Sequence, residues 1–218
     1  MNQKNYPQVI FLDAVGTLFG VAESVGQQYA QMANQLFGLQ LDDQALNQAF
    51  YDCFKAADPC VFPGVDRDQL PYLEYQWWES LAEQTFTQAE LFSEIPDFAD
   101  YFAALYDRFA TAAPWYVYPE VHDTLAKWQR LGIELGILSN FDTRLYRVLD
   151  VLDLTRYFKS FTLSTEVGAA KPDRAVFVAA LAQHGCEPAA AWHIGDSLED
   201  DYQGATAAGL RALWLNRR

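Results

Sequence analysis

The chain has 218 residues, 51% hydrophobic and 20% charged, enough for one large globular domain or a core domain carrying a smaller insertion. Its 29 acidic and 15 basic residues leave a net charge of −14, which argues against a nucleic-acid partner, because phosphate backbones are bound by clustered Lys and Arg. No stretch approaches the roughly 18 consecutive apolar residues of a membrane span, and residues 1–7 lack a basic region followed by an apolar one, so a cytoplasmic protein with no membrane partner is expected.

The charge is unevenly spread. Between Gly20 and Ala113, Lys55, Arg67 and Arg108 stand against 15 Asp and Glu, whereas the rest of the chain carries 12 basic and 14 acidic residues. The middle segment therefore differs in kind from the two ends flanking it. Cys53, Cys60 and Cys186 are odd in number and share no metal-like spacing, and they read as reduced thiols behaving as small hydrophobes. His122, His184 and His193 are scattered and read as serving helix ends or packing rather than a histidine-based metal site or triad.

The apolar run Val9-Ile10-Phe11-Leu12, bounded by Pro7 and Gly16, predicts a strand buried on both faces that ends on Asp13. In open α/β sheets ligands bind beyond the C-terminal ends of the strands, which makes Asp13 a candidate for chemistry as well as for opening a turn. The pattern then becomes helical. Helices are expected over 22–37, ended by Gly38; over a segment capped by Asp42 or Asp43 and stopping before Pro59; and over 72–86 and 97–111. The helix-spaced aromatics Trp77, Trp78, Phe98, Phe102, Tyr106 and Phe109 read as the core of a small bundle.

From Pro114 onward helix and strand alternate. Helices are expected over 120–131, after Asp142 or Thr143, over 174–184 and over 205–208. The strands between them fall at 133–138, 158–163, 191–194 and 211–215. This implies an α/β fold, a parallel sheet with helices on both faces into which an all-helical block is inserted. Residues 1–19 and 114–218 form the core, and 20–113 the cap.

Three of these strands end on polar residues: Asp13, Ser139-Asn140 and Gly195-Asp196, with Lys171-Pro172 opening a helix between the last two. Parallel strands direct their C-terminal ends to one edge, so these residues converge on one crevice. In this set and this order the chain resembles the haloacid dehalogenase superfamily, over nearly its whole length. Asp13 with Gly16-Thr17-Leu18 is similar to that family's first motif, Ser139-Asn140 to its second, Lys171-Pro172 to its third, and Gly195-Asp196-Ser197 through Asp201 to its fourth.

The resemblance implies a Rossmann-like core with a helical cap, and a Mg²⁺-dependent phosphatase acting on a small phosphorylated molecule. It makes Asp13 the nucleophile that forms an aspartyl-phosphate, and gives Mg²⁺ to Asp13, the Val15 main-chain carbonyl and Asp196. Lys171 would neutralise charge, and Ser139 with nearby main-chain N–H groups, including those of Gly16 and Asn140, would hold phosphate oxygens. Asp201 or Asp200 would support the site; Asp201 holds the family's distance to Gly204-Ala205.

One position departs from the pattern. Most phosphatases of the family carry a second aspartate two residues after the nucleophile, and here that position is Val15. The substitution removes a general acid and base while leaving a carbonyl for metal. Dehalogenases of the superfamily also lack that aspartate, since a halide leaves without a proton, so a 2-haloacid dehalogenase is the rival reading. Against it stand the metal-type acids Asp196 and Asp201 and the absence of an arginine between Val21 and Gln35 to bind a haloacid carboxylate. The phosphonate-cleaving branch needs a cap lysine, and Lys55 reads as a solvated helix end. A third reading is a binding or regulatory protein that keeps the fold without turnover.

Overall fold

The computed structural model describes residues 6–217. In chain order, β1 (Val9–Leu12) and β2 (Phe19–Val21) lead into α1 (Val25–Phe37), α2 (Asp43–Ala56), α3 (Leu70–Gln88) and α4 (Phe98–Arg108). Then follow β3 (Trp115–Val117), α5 (Val121–Arg130), β4 (Glu134–Ser139), α6 (Leu145–Val151), β5 (Ser160–Leu163), α7 (Ser164–Val167) and α8 (Arg174–His184). The chain closes with β6 (Ala191–Gly195), α9 (Gly204–Ala207) and β7 (Arg211–Trp214).

Local chemistry sets the helix ends. Ser24 accepts a hydrogen bond from the Gln27 amide and starts α1 three residues later than its apolar stripe suggests; Gly38, at φ 70°, ends it. Of the two candidate caps of α2 it is Asp42 that accepts from the Gln44 and Ala45 amides. Gly26 is needed where α1 meets α2, because a Cβ there would collide with the Asp43 carbonyl and Asn47.

The main sheet has the order β5-β4-β1-β6-β7, and every neighbouring pair is parallel. Val9 and Phe11 face one layer, where they pack with Val176, Phe177 and Ala180 of α8 and Ala205 of α9. On the other face Leu12, Ile194 and Leu213 meet Val121, Leu125 and Trp128 of α5 around a cavity of about 290 Å³. The expected α/β sheet with helices on both faces is therefore present. Strands β2 and β3 pair with each other in a separate two-stranded ribbon. Neither stands out in the sequence, since three residues are too few to show a period.

The chain divides into two compact units. One comprises the described residues through Gly20, Cys60–Leu70, and the chain from Val117 on; the other comprises Val21–Pro59 and Pro71–Tyr116. The second unit is a helical bundle whose core holds Tyr29, Phe50, Phe86, Tyr101 and Phe102, with Trp77, Trp78, Phe98, Tyr106 and Phe109 packed against it. The aromatic stripes are packing. The segment Cys60–Leu70, which sequence reading includes in the cap, belongs to the first unit. The reason is local: Gly168, at φ 73°, lets the Pro63 backbone approach where a Cβ would crowd it, and Arg67 forms an ion pair with Glu166.

Candidate active site

Register builds the site. Leu12 lies opposite Ile137 of β4 and Ile194 of β6, so Asp13, one residue further, emerges between the ends of both neighbours. The chain crosses to β4 on one side of β1 and to β6 on the other, the point in a parallel sheet where a crevice opens. Ser139 Oγ donates to Asp13 Oδ1 at 3.1 Å, and Lys171 Nζ donates to the same oxygen at 2.8 Å. Lys171 Nζ also reaches Asp201 Oδ1 at 2.6 Å, and His193 Nε2 lies 2.8 Å from that oxygen. The result is a buried chain, Ser139–Asp13–Lys171–Asp201–His193.

Each member is held from outside. The Asn140 side chain grips the Lys171 main chain twice, donating to its carbonyl at 2.9 Å and accepting from its amide at 2.7 Å. Asp201 Oδ2 accepts from the Ser197 amide at 2.9 Å, within the π-helical turn Leu198–Gln203 that follows β6. A wide turn of this kind aims Asp201 back under the end of β6, where a Cβ at Gly195 would collide with its carboxylate. Asp200 is only half-buried, and its amide donates to Ser197 Oγ at 3.1 Å. Thus Asp201, and not Asp200, is the carboxylate joined to Lys171.

Asp196 completes an acidic trio: carboxylate oxygens of Asp13, Asp196 and Asp201 all lie within 4.8 Å of one another. Gly16, at φ 83°, is required here, because a Cβ would occupy the space of the Asp196 carboxylate. Its N–H donates to the Phe19 carbonyl at 2.8 Å, so what this position supplies is close approach rather than a free donor. The bridge between Val15 and Phe19 is formed by that bond and by the Phe19 amide on the Ala14 carbonyl, which leaves the Val15 carbonyl out of it.

Crowding three acids around one lysine has electrostatic consequences. Burial and the nearby Asp13 and Asp201 push the Asp196 carboxyl up to about 6. Burial also raises Asp13, against the pull of Lys171. For Asp201 burial works upward too, but Lys171 and His193 outweigh it and hold this carboxyl well below its ordinary range. Burial lowers the Lys171 ammonium, yet Asp13 and Asp201 more than reverse this and keep it firmly charged. His193 is pulled down, chiefly by burial, and so favours the neutral ring.

The sequence model of haloacid dehalogenase-like hydrolases matches residues 7–209. The chain belongs to that family. The curated haloacid dehalogenase-like hydrolase domain-containing protein 3 of Bos taurus is 34% identical over 201 residues, 92% of this chain and 78% of the relative. A phosphoserine phosphatase of Thermus thermophilus is 38% identical over 102 residues, covering 46% of this chain and 41% of its own. Among solved structures, L-2-haloacid dehalogenase from Xanthobacter autotrophicus superposes with a TM-score of 0.70 at 17% identity, over 97% of this chain and 78% of that one. At that identity the likeness concerns the fold alone.

In this haloacid dehalogenase-like hydrolase the motif residues Asp13, Ser139, Lys171, Asp196 and Asp201 come together at one sheet edge, and Asn140 stands behind Lys171. His193 is the member that sequence reasoning missed. Its position, three before Asp196 and on the Phe177-facing side of β6, reads as core, and indeed its ring meets Phe177 edge-on at 5.6 Å. Only the turn that brings Asp201 back eight residues later turns that core histidine into a partner of the site. His184, by contrast, ends α8 as expected, against Glu134 and Ser160.

Proposed function

We propose that this chain is a Mg²⁺-dependent phosphatase of small phosphorylated molecules, working through an aspartyl-phosphate on Asp13. The observation that carries this reading is the trio of Asp13, Asp196 and Asp201 within 4.8 Å, two of them bonded by Lys171. Asp201 spends both oxygens on Lys171, His193 and the Ser197 amide, so Asp13 and Asp196 are the carboxylates left to face a hard divalent cation. With the Val15 carbonyl they form an all-oxygen donor set, which fits Mg²⁺. Bound there, the ion would screen the approach of a phosphate dianion to a carboxylate.

The protein's own groups supply the rest. Asp13 Oδ attacks phosphorus, the bond to the leaving oxygen breaks, and water later hydrolyses the acyl phosphate. Lys171 holds Asp13 ionised and balances the charge on the transferring group, while Asp201 fixes its ammonium. The Ser139 hydroxyl and the Asn140 main chain at the end of β4 would hold phosphate oxygens. The partial match to a phosphoserine phosphatase supports phosphoryl chemistry.

Val15 favours a second reading, 2-haloacid dehalogenase-type displacement, in which Asp13 attacks carbon and halide leaves unprotonated. A panel of phosphate esters and 2-haloacids, assayed with Mg²⁺ and with chelator, separates the two. Phosphate release only with metal is the expected result; halide release regardless of metal supports the rival, and silence throughout supports a protein that keeps the fold without turnover.

A further inference from the structure

Trp214 and Arg217 reach back to both acid-bearing loops. After β7, Arg217 lies 200 residues from the turn that follows Asp13, yet two of its three guanidinium nitrogens bond to that turn. Nε donates to the Gly16 carbonyl at 3.0 Å and one terminal nitrogen to the Thr17 carbonyl at 2.7 Å. The other terminal nitrogen pairs with Glu120 Oε1 at 2.7 Å, and the plane stacks on the Tyr118 ring, 3.5 Å from its centre. The Tyr118 amide takes the next carbonyl, that of Leu18, at 3.2 Å. Within the turn itself the Ala14 carbonyl accepts from the Thr17, Leu18 and Phe19 amides. The carbonyls of Gly16, Thr17 and Leu18 face outward from this turn's own bonds, and Arg217 and Tyr118 supply their partners.

The second loop is tied from the same strand end. Trp214 Nε1 donates to the Asp196 main-chain carbonyl at 2.9 Å. Between the two tied loops, Gly16 lies against the Asp196 carboxylate and Thr17 Oγ1 donates to Asp196 Oδ1 at 3.4 Å. We propose that Arg217 and Trp214 are positioning residues. Together they set the separation of the Asp13–Thr17 turn and the Asp196 loop, and with it the geometry of the donor set formed by Asp13, the Val15 carbonyl and Asp196. This inference rests on the assignment of that donor set to Mg²⁺. The forked geometry matters: lysine can pair with Glu120 and lie over Tyr118, but it cannot donate in parallel to two adjacent carbonyls.

Arg217→Lys, Trp214→Phe, Glu120→Gln and Arg211→Gln, made in the full chain, test the proposal. Arg211, on β7, stacks on Trp192 at 4.5 Å and serves as the control for losing a surface cation. Three readouts are taken: hydrogen exchange of residues 14–19, Mg²⁺ affinity by calorimetry, and kcat and KM for p-nitrophenyl phosphate. In Arg217→Lys the turn amides should exchange at least several-fold faster, Mg²⁺ should bind several-fold more weakly, and kcat should fall about tenfold with a smaller change in KM. Trp214→Phe should weaken Mg²⁺ binding in the same sense, Glu120→Gln, which weakens the hold on Arg217, should give a smaller loss, and Arg211→Gln should stay near wild type. Wild-type exchange and Mg²⁺ affinity in Arg217→Lys would overturn the brace, as would an equal loss in Arg211→Gln. If p-nitrophenyl phosphate is not turned over at all, the phosphatase reading fails on its own, while exchange and calorimetry still decide on the brace.

Discussion

At the residue scale, one side chain shapes the expected chemistry more than any other. Val15 stands where most phosphatases of the family have a proton donor, and general acid catalysis contributes about 10² to 10⁴ in rate. Aryl and acyl phosphates, whose leaving groups need no proton, should therefore be hydrolysed far faster than alkyl phosphates. Val15→Asp should narrow the gap. Steady-state rates on a matched aryl and alkyl pair check this, and equal rates in the wild type would show that another residue supplies the proton. Asp196 gives a second prediction. Burial and the neighbouring Asp13 and Asp201 raise its carboxyl, and it is the carboxylate of the trio least committed to other groups. Asp196→Asn should weaken Mg²⁺ binding by about tenfold or more, since ligand charge sets affinity for a hard cation. Unchanged affinity in calorimetry would remove Asp196 from the donor set.

At the scale of elements, the sheet edge is held in register by side chains that tie its strands to their neighbours. Glu134, the first residue of β4, forms an ion pair with Lys159, just before β5, and lies 2.6 Å from His184 Nδ1 at the end of α8. Lys159 and His184 hold the Glu134 carboxyl below its ordinary value of 4.5. Because the folded value is depressed, the unfolded chain binds this proton more readily, so the stabilisation is present above about pH 4.5 and is lost as pH falls through the folded value. Glu134→Gln should lower stability at pH 7 by about 1 kcal/mol or less, as partly exposed pairs do. The difference from wild type should shrink as pH falls below about 4.5. Denaturant titrations at pH 7 and near pH 4 measure it, and a difference independent of pH would show that the ion pair contributes nothing.

At the scale of the whole molecule, charge is the property with a consequence for substrates. The unit made of Val21–Pro59 and Pro71–Tyr116 carries thirteen acidic residues against Lys55 and Arg108. Arg108 is tied to Gln28 and Gln31 within that unit, and Arg67 belongs to the other. A protein of net charge −14 repels anions, with a reach of about 8 Å at physiological salt and more at low ionic strength. Esters with neutral leaving groups should show higher kcat/KM than carboxylate-bearing ones at low salt, and added salt should narrow the gap. A preference for the anionic ester at low salt would reveal a local cation that outweighs the overall field.

Much of this molecule was legible along the chain because its signals are local. The apolar run into Asp13, the helical stripes with their caps and closing glycines, and the alternation after Pro114 all depend on residues within a few positions of one another. They suffice for a parallel sheet with an inserted helical bundle and for motif acids gathered at one edge. What lay beyond them depends on contacts between distant segments. Two three-residue strands exist only because they pair across some ninety residues, and Cys60–Leu70 joins the first unit because Gly168 makes room for Pro63. His193 looks like core until a wide turn brings Asp201 beneath it. Arg217 is an ordinary terminal cation in the sequence, and only folding places its fork on the carbonyls of Gly16 and Thr17. Periodicity records which face of an element is buried, whereas the partner of a single polar group is chosen by tertiary structure, which alone brings donor and acceptor within hydrogen-bond reach.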